Sequence, residues 1–305
     1  MRTLKTSEAA ALLNVSPNTL RAWERRFGYP HPQRSPGKHR LYTHGEVAAL
    51  RDALQEGLSI SSAVSRAREA LTADTNSLVS AIAGFELERA DAAMEAALAL
   101  RSVERSVEEV LLPSLHEIGD RHGFDSAPWA FAARWAGGWL QRAQRLAPAP
   151  QRPGAILIGD ATRDELDAEA LSMHALELFC LRAGARVLPL PVLGVAGLGD
   201  VVSAFGPNAV VIAGRHAQDD EVARWAYTVR SVAGPLPMAL FLRSREARRT
   251  MASGTRSLAD SPGDAQRQVL ALAETHHATV GAERVAAFPA RDSLRRAAAR
   301  RTMSA

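Results

Sequence analysis

Residues 155–184 read AILIGDATRDELDAEALSMHALELFCLRAG. The opening apolar run, 155–160, has the length and composition of a buried strand, and 166–184 has the spacing of an amphipathic helix closed by a glycine at Gly184. A strand passing through a short polar loop into a helix is the repeating unit of an open α/β sheet, and such sheets hold ligands in the loops at their strands' carboxyl ends. The loop here, GDATRDELD, is rich in carboxylates and has no histidine, cysteine or glycine-rich turn. Asp160, Asp164, Glu165, Asp167 and Glu169 raise the possibility of a magnesium or phosphoryl-transfer pocket. The weightier reading is that acids in a first helical turn complement the helix dipole. A phosphoacceptor aspartate is expected after the third strand, where the chain reads AGRHAQDD.

Downstream, the pattern repeats. ARVLPLP, NAVVIAG and LPMALFLRS read as strands, while LGDVVSAF, DDEVARWAYTVRSV and a final segment near 264–276 read as helices. This alternation predicts a parallel sheet with helices on both faces across 153–284. Upstream, the proline-rich APAPQRPG (147–154) reads as a linker. Residues 77–146 show helical periodicity alone, which predicts a four-helix bundle. TADTN (72–76) reads as a second linker, leaving 1–71 as a separate head.

Charge follows these divisions. The 305 residues carry a formal +4 in total. Residues 1–71 contribute +5, the tail 285–305 holds a run with +4 over 289–305, and the stretch between is −5. A basic head on an acidic body suits contact with phosphates. The tail reads as a frayed basic helix or as unstructured chain. No apolar run is long enough to span a bilayer, and the start has no signal-peptide core, so a cytoplasmic location is expected. The one cysteine, Cys180, lies within an apolar helix pattern and reads as a buried structural thiol. No nucleophile–base pair is discernible, so no enzymatic activity and no metal site are expected.

In the head, Thr6 or Ser7 can cap a first helix. Ser16 followed by Pro17 is an N-cap with proline at the first helical position. The second helix then runs to about Phe27, with Leu20, Trp23 and Phe27 on its buried side. The tight Asn14–Val15 connection suits a helix-turn-helix. Thr43 and Glu46 have the spacing of a capping box for a further helix. Between the helices, GYPHPQRSPGKHRLY is punctuated by proline and glycine, and KHRLY can form one strand of a small wing. Arg21 and Arg25 lie four apart and project from one helical face, as a recognition helix requires.

VSPNTLRAWERRFG followed by GKHRLY resembles the winged helix-turn-helix of MerR-family transcriptional regulators. The tryptophan in this helix, together with the order head, helical bundle, α/β domain, is similar to the CarH/LitR branch, which senses light through cobalamin. LPSLHEIGDRHG and FCLRAGARVLPLP add to the likeness. The resemblance implies a flavodoxin-like (Rossmann-like) sheet. It also implies a double-stranded DNA operator facing Thr19, Arg21, Arg25, Lys38, His39 and Arg40, and assembly into a homodimer or higher oligomer.

The chain departs from that branch at the cofactor positions. The branch carries D-x-H-x-x-G after its first α/β strand, and its histidine ligates cobalt. Here the aligned residues are Asp167, Glu169 and Ser172. A carboxylate is a harder and weaker donor than imidazole for a cobalt corrin. His174, five residues into the helix from Glu169, lies about 140° round the axis and is poorly placed as a substitute. The tryptophan, glutamate and histidine that should cover the corrin align with His122, Ala132 and Ala133. A Gly-Gly pair expected at the end of the late strand aligns with Phe241 and Leu242. Cobalamin is therefore expected to be lost, leaving a light-independent regulator that works through oligomerisation or a protein partner, with no membrane involved. The alternative is a sensor of a different small ligand held between bundle and α/β domain. Trp129, Trp135 and Trp139, with Phe131 or Phe241, are candidates to fill the vacated space; ordinary bundle core is the competing reading.

Overall fold

The computed structural model describes residues 3–34, 40–194, 196–243 and 255–279. They fall into two compact units, Met1–Ala136 and Gly137–Ala305.

In the first unit, β1 (Thr3–Lys5) leads into α1 (Thr6–Leu12) and α2 (Pro17–Phe27). Then β2 (Gln33–Arg34) and β3 (Arg40–Thr43) complete an antiparallel sheet of order β1-β3-β2. Ser16 caps α2 by accepting from Thr19 N–H at 3.0 Å, and Gly28 closes it in the left-handed conformation. The expected Thr6 or Ser7 cap is displaced. Both lie inside α1, and the Glu8 carboxylate reaches back to the Lys5 N–H at 2.8 Å. Glu46 likewise accepts from the backbone of His31, stitching α3 (His44–Gln55) to the α2–β2 connection. Leu4, Leu20, Tyr42, Val47 and Leu50 form the head's core.

The predicted linker at 72–76 is helical. α4 (Ile60–Ala83) is one 24-residue helix that begins against α3 and ends as the first helix of the bundle. The others are α5 (Leu87–Leu100), the run α6 (Val103–Ser106), a π turn at Val107–Leu111 and α7 (Leu112–His122), and α8 (Ala127–Arg145). The cause of the continuity is tertiary. Asp74 accepts from Arg101 at 2.5 Å, and Arg101 also faces Glu109 at 3.4 Å. Glu109 in turn binds Arg105 at 2.7 Å. The Arg101 side chain is only 6% exposed, so its charge needs these carboxylates in place. Ser114 adds a hydrogen bond to the Thr75 carbonyl.

In the second unit, β4 (Ala155–Asp160), β5 (Arg186–Pro191), β6 (Ala209–Ala213), β7 (Met238–Phe241) and β8 (Arg256–Ser257) form a parallel sheet of order β5-β4-β6-β7-β8. Numbered within the sheet this is 2-1-3-4-5, the flavodoxin-like order, with its switch point between β4 and β6. Alternate strand residues divide the core. Ile156, Ile158, Val211 and Phe241 pack with α9 (Ala168–Arg182) and the last helix, α12 (262–279). Leu157, Val210, Ile212 and Leu240 pack with α10 (Leu198–Phe205) and α11 (Asp219–Ala233).

The helix expected to be amphipathic, α9, is buried around most of its circumference. Besides the sheet, it meets the end of α8, where Gln144 donates to the His174 carbonyl and to Glu177. Its glycine stop is as expected: Gly184 N–H donates to Leu181 and Ala185 N–H to Cys180, a Schellman closure. Burial raises the Cys180 thiol well above its ordinary pKa, as a structural cysteine requires. Among the described residues, no helix is long and apolar enough to cross a membrane. The basic tail, 285–305, lies outside the described residues.

Replacing Asp74 by alanine should destabilise the first unit by about 1–3 kcal/mol, because Arg101 keeps one carboxylate of two. Urea unfolding followed by circular dichroism measures this, and an exposed control such as Glu95→Ala should shift the midpoint far less.

A candidate DNA-contacting helix and a closed switch point

The exposed face of α2 carries Asn18, Arg21 and Arg25, with Thr19 half-buried beside them. Arg21 donates to the Asn18 side chain at 3.2 Å, and the Thr19 hydroxyl is held by Ser16 at 2.8 Å. Asn18 was not singled out from sequence, although a short polar residue in the first turn of a recognition helix suits base edges. Trp23 and Phe27 pack on the head's core as expected.

Arg40, expected to face the operator, is also engaged within the head. Its Nε donates to both Glu24 oxygens, at 3.0 and 3.2 Å, and the Tyr42 hydroxyl donates to the same carboxylate at 3.1 Å. Glu24 thus ties the wing strand β3 to α2. It is the one acid in the sequence of α2, an exception in a basic helix that could have pointed to this role. Burial, and then the adjacent negative charge of Glu24, hold the Tyr42 phenol above its ordinary value. Lys38 and His39 lie outside the described residues.

At the switch point the carboxylates of the β4–α9 loop bind the loop itself. Asp160 accepts from Thr162 N–H and hydroxyl at 2.9 and 2.6 Å, and Asp164 from Leu166 N–H at 2.8 Å. Asp167 caps α9, accepting from Glu169 N–H and Arg163 N–H. No group of three or more metal-ligating side chains occurs among the described residues.

Glu169 accepts from Arg215 through both the backbone N–H, at 2.8 Å, and Nε. This clamp joins the first turn of α9, where the β4–α9 loop ends, to the β6–α11 loop. The same two loops are also joined by backbone: Ala161 N–H donates to Ala213, and His216 and Ala217 N–H both donate to Ala161. Gly214, at φ 94°, is needed there, since a Cβ would lie 2.8 Å from Thr162 N. What remains is a crevice of about 380 Å³ walled by Asp160, Thr162, Asp164, His174 and His216. That volume is near the lower limit for a small-ligand pocket. His174 faces Glu177 at 3.6 Å. Ser172 is half-buried and back-bonds to the Ala168 carbonyl.

His122 is exposed, while Ala132 and Ala133 are fully buried in α8. Phe241 is fully buried, and Leu242 adopts φ 60°, in the left-handed region that favours glycine. Within the first unit, Trp129 is buried edge-on against Phe124, and Trp135 is buried with its indole N–H on Asp91 at 2.9 Å. Phe131 meets Phe85 edge-on. Trp139 is half-buried in the second unit.

Comparison with known proteins agrees with the head's geometry. Residues 5–42 match the family described as MerR family regulatory protein, so the chain carries a MerR-type helix-turn-helix. It is homologous to the HTH-type transcriptional repressor CarA of Myxococcus xanthus, at 34% identity over 51% of this chain and 58% of that protein. The repressor CarH of the same organism is 29% identical over 39% of this chain and 48% of its own length. The HTH-type regulator MlrA of Escherichia coli K12 shares 44% identity over 15% of this chain and 18% of its own length. The chain thus spans about half the length of the two repressors it matches. These relatives are transcriptional regulators, not enzymes. A solved cobalamin-binding protein from Desulfitobacterium hafniense DCB-2 aligns with 65% of this chain and 98% of its own, at 13% identity and a TM-score of 0.32, a likeness too slight to carry weight.

Glu24→Ala should destabilise the head by about 1–3 kcal/mol, since it leaves Arg40 and the buried Tyr42 hydroxyl without their acceptor. Because the folded-state Tyr42 pKa is raised, its contribution to stability is present below pH 10.0 and is lost as pH rises beyond it. Thermal melts between pH 8 and 11 should show this decline in the unsubstituted protein, and Tyr42→Phe should flatten it.

Proposed function

We propose that this chain is a DNA-binding transcriptional regulator whose sensor unit works without cobalamin. On this reading it acts in light and dark alike, through self-association or a protein partner. The head supplies the DNA contact: Arg21 and Arg25 on the open face of α2, with Thr19 and Asn18 near its N-terminus, present guanidinium and short polar groups to a major groove.

The single observation that carries the cofactor reading is the Glu169–Arg215 clamp. Glu169 stands where the CarH/LitR branch has its cobalt-ligating histidine. Its carboxylate is only 14% exposed and is bound to Arg215 twice, so it is not available as a free donor. A corrin entering here would break that ion pair and separate backbone-bonded loops. It would then gain a weaker ligand than imidazole. Ser172, Phe241 and Leu242 place side chains where the branch has glycine, which supports the same reading. The residues present do not fit the group.

Two measurements test the proposal. Arg21→Ala should weaken operator binding by roughly 1–3 kcal/mol if it reads a base, or lower the salt slope if it holds a phosphate; sequence-selective binding by a chain lacking 1–71 would refute the head's role. Adenosylcobalamin added to the full chain should leave no corrin spectrum after gel filtration and no light-dependent change in operator affinity. A stoichiometric spectrum that survives the column would refute the cofactor reading.

A further inference from the structure

At the other end of the sheet from the switch point, a groove of about 1090 Å³ runs beside the edge strand β8, between the turn that enters β7 and helix α12. Its floor is apolar, with Leu236, Leu258 and Leu272 lining it. Its walls present Arg230, from the last turn of α11, Arg256, from β8, and His276, from α12. No aspartate or glutamate is among the described residues that line it.

Five arginines of this unit are matched to acids, while others, such as Arg186 on the Phe205 carbonyl, are not. Arg152 pairs with Glu274, Arg215 with Glu169, Arg224 with Asp220, Arg243 with Asp219 and Arg267 with Asp264. The guanidiniums of Arg230 and Arg256 have no such partner among the described residues. Arg230 and Arg256 give the groove one sign of charge beside its leucines, with Ser257, Gln268, Thr275 and Thr279 as neutral polar lining. Guanidinium binds carboxylate through two parallel hydrogen bonds, and a neighbouring low-dielectric wall strengthens the pair.

We propose that this groove binds a small amphipathic carboxylate, its head on Arg230 and Arg256 and its aliphatic body on Leu236, Leu258 and Leu272. The site would give the regulator a ligand input separate from the closed switch point. It rests on different residues from the cofactor reading, so either can fail without the other.

Calorimetric titration of the full chain with decanoate, below its micellar concentration, tests the assignment. One decanoate per chain is expected, with decanol binding at least about tenfold more weakly, a difference of about 1.4 kcal/mol. Arg230→Ala and Arg256→Ala should each weaken decanoate by about tenfold or more. Arg230→Lys, which keeps the charge and removes the fork, should fall between Arg230→Ala and the unsubstituted chain. Circular dichroism confirms that each variant is folded, and Arg224→Ala, on the outer face of α11, serves as a control with unchanged affinity. No saturable heat, equal binding of decanol and decanoate, or unchanged affinity in both alanine variants would overturn the proposal.

Discussion

Arg101 is a cation with little access to water, and its need for a counter-charge shapes the first unit. Asp74 meets that need from α4, and Glu109 meets it from the π turn. An unpaired guanidinium at that depth would be strongly destabilising. The chain at 72–76 therefore cannot behave as the loose connector its polar composition suggests. It is held helical from outside, and the helix that packs on the DNA-binding head is the same one that opens the bundle.

A comparable logic closes the second unit's switch point. Glu169 by itself would be a partly buried charge. Arg215 in the facing loop neutralises it, and the backbone ladder from Ala161 to Ala213, His216 and Ala217 holds the two loops at the distance the ion pair needs. Glu169 lies in the first turn of α9 and Arg215 in the β6–α11 loop, so on the proposed reading two separate segments, not one side chain, close the site. Leu242 fits this view. Its left-handed backbone is the conformation a glycine would adopt without strain, while its side chain packs on the core beside Phe241.

Much of this architecture is written locally. AILIG and AVVIAG are apolar throughout because both faces of a parallel strand are covered, and LGDVVSAF carries its own boundaries. Ser16-Pro17 and Gly184 act through backbone geometry within a few residues of themselves. What sequence reading misses is set at a distance. β1 and β8 are two or three residues long and show no periodicity; they are strands because β3 and β7 offer them partners. The amphipathic expectation for α9 fails because the end of α8 covers its outer side. The site was legible in the same proportion. The face with Arg21 and Arg25 follows from helical spacing, and the altered Glu169 stands out by resemblance. That Glu169 is clamped by Arg215, 46 residues away, and that Arg40 is tied to Glu24, depend on side chains brought together only by the fold.

The unbroken helix α4 has a consequence for how the two ends of the first unit can vary. At 1.5 Å and 100° per residue, its 24 residues make a rod of about 36 Å with a fixed angular phase. One residue inserted between the part that packs on α3 and Asp74 would turn the bundle by about 100° relative to the head and carry Asp74 away from Arg101. Seven residues would bring the phase back to within about 20°. Length changes between head and bundle are thus confined to near-whole numbers of turns, such as about seven, eleven or eighteen residues, a periodic spacing rule that a flexible connector would never impose.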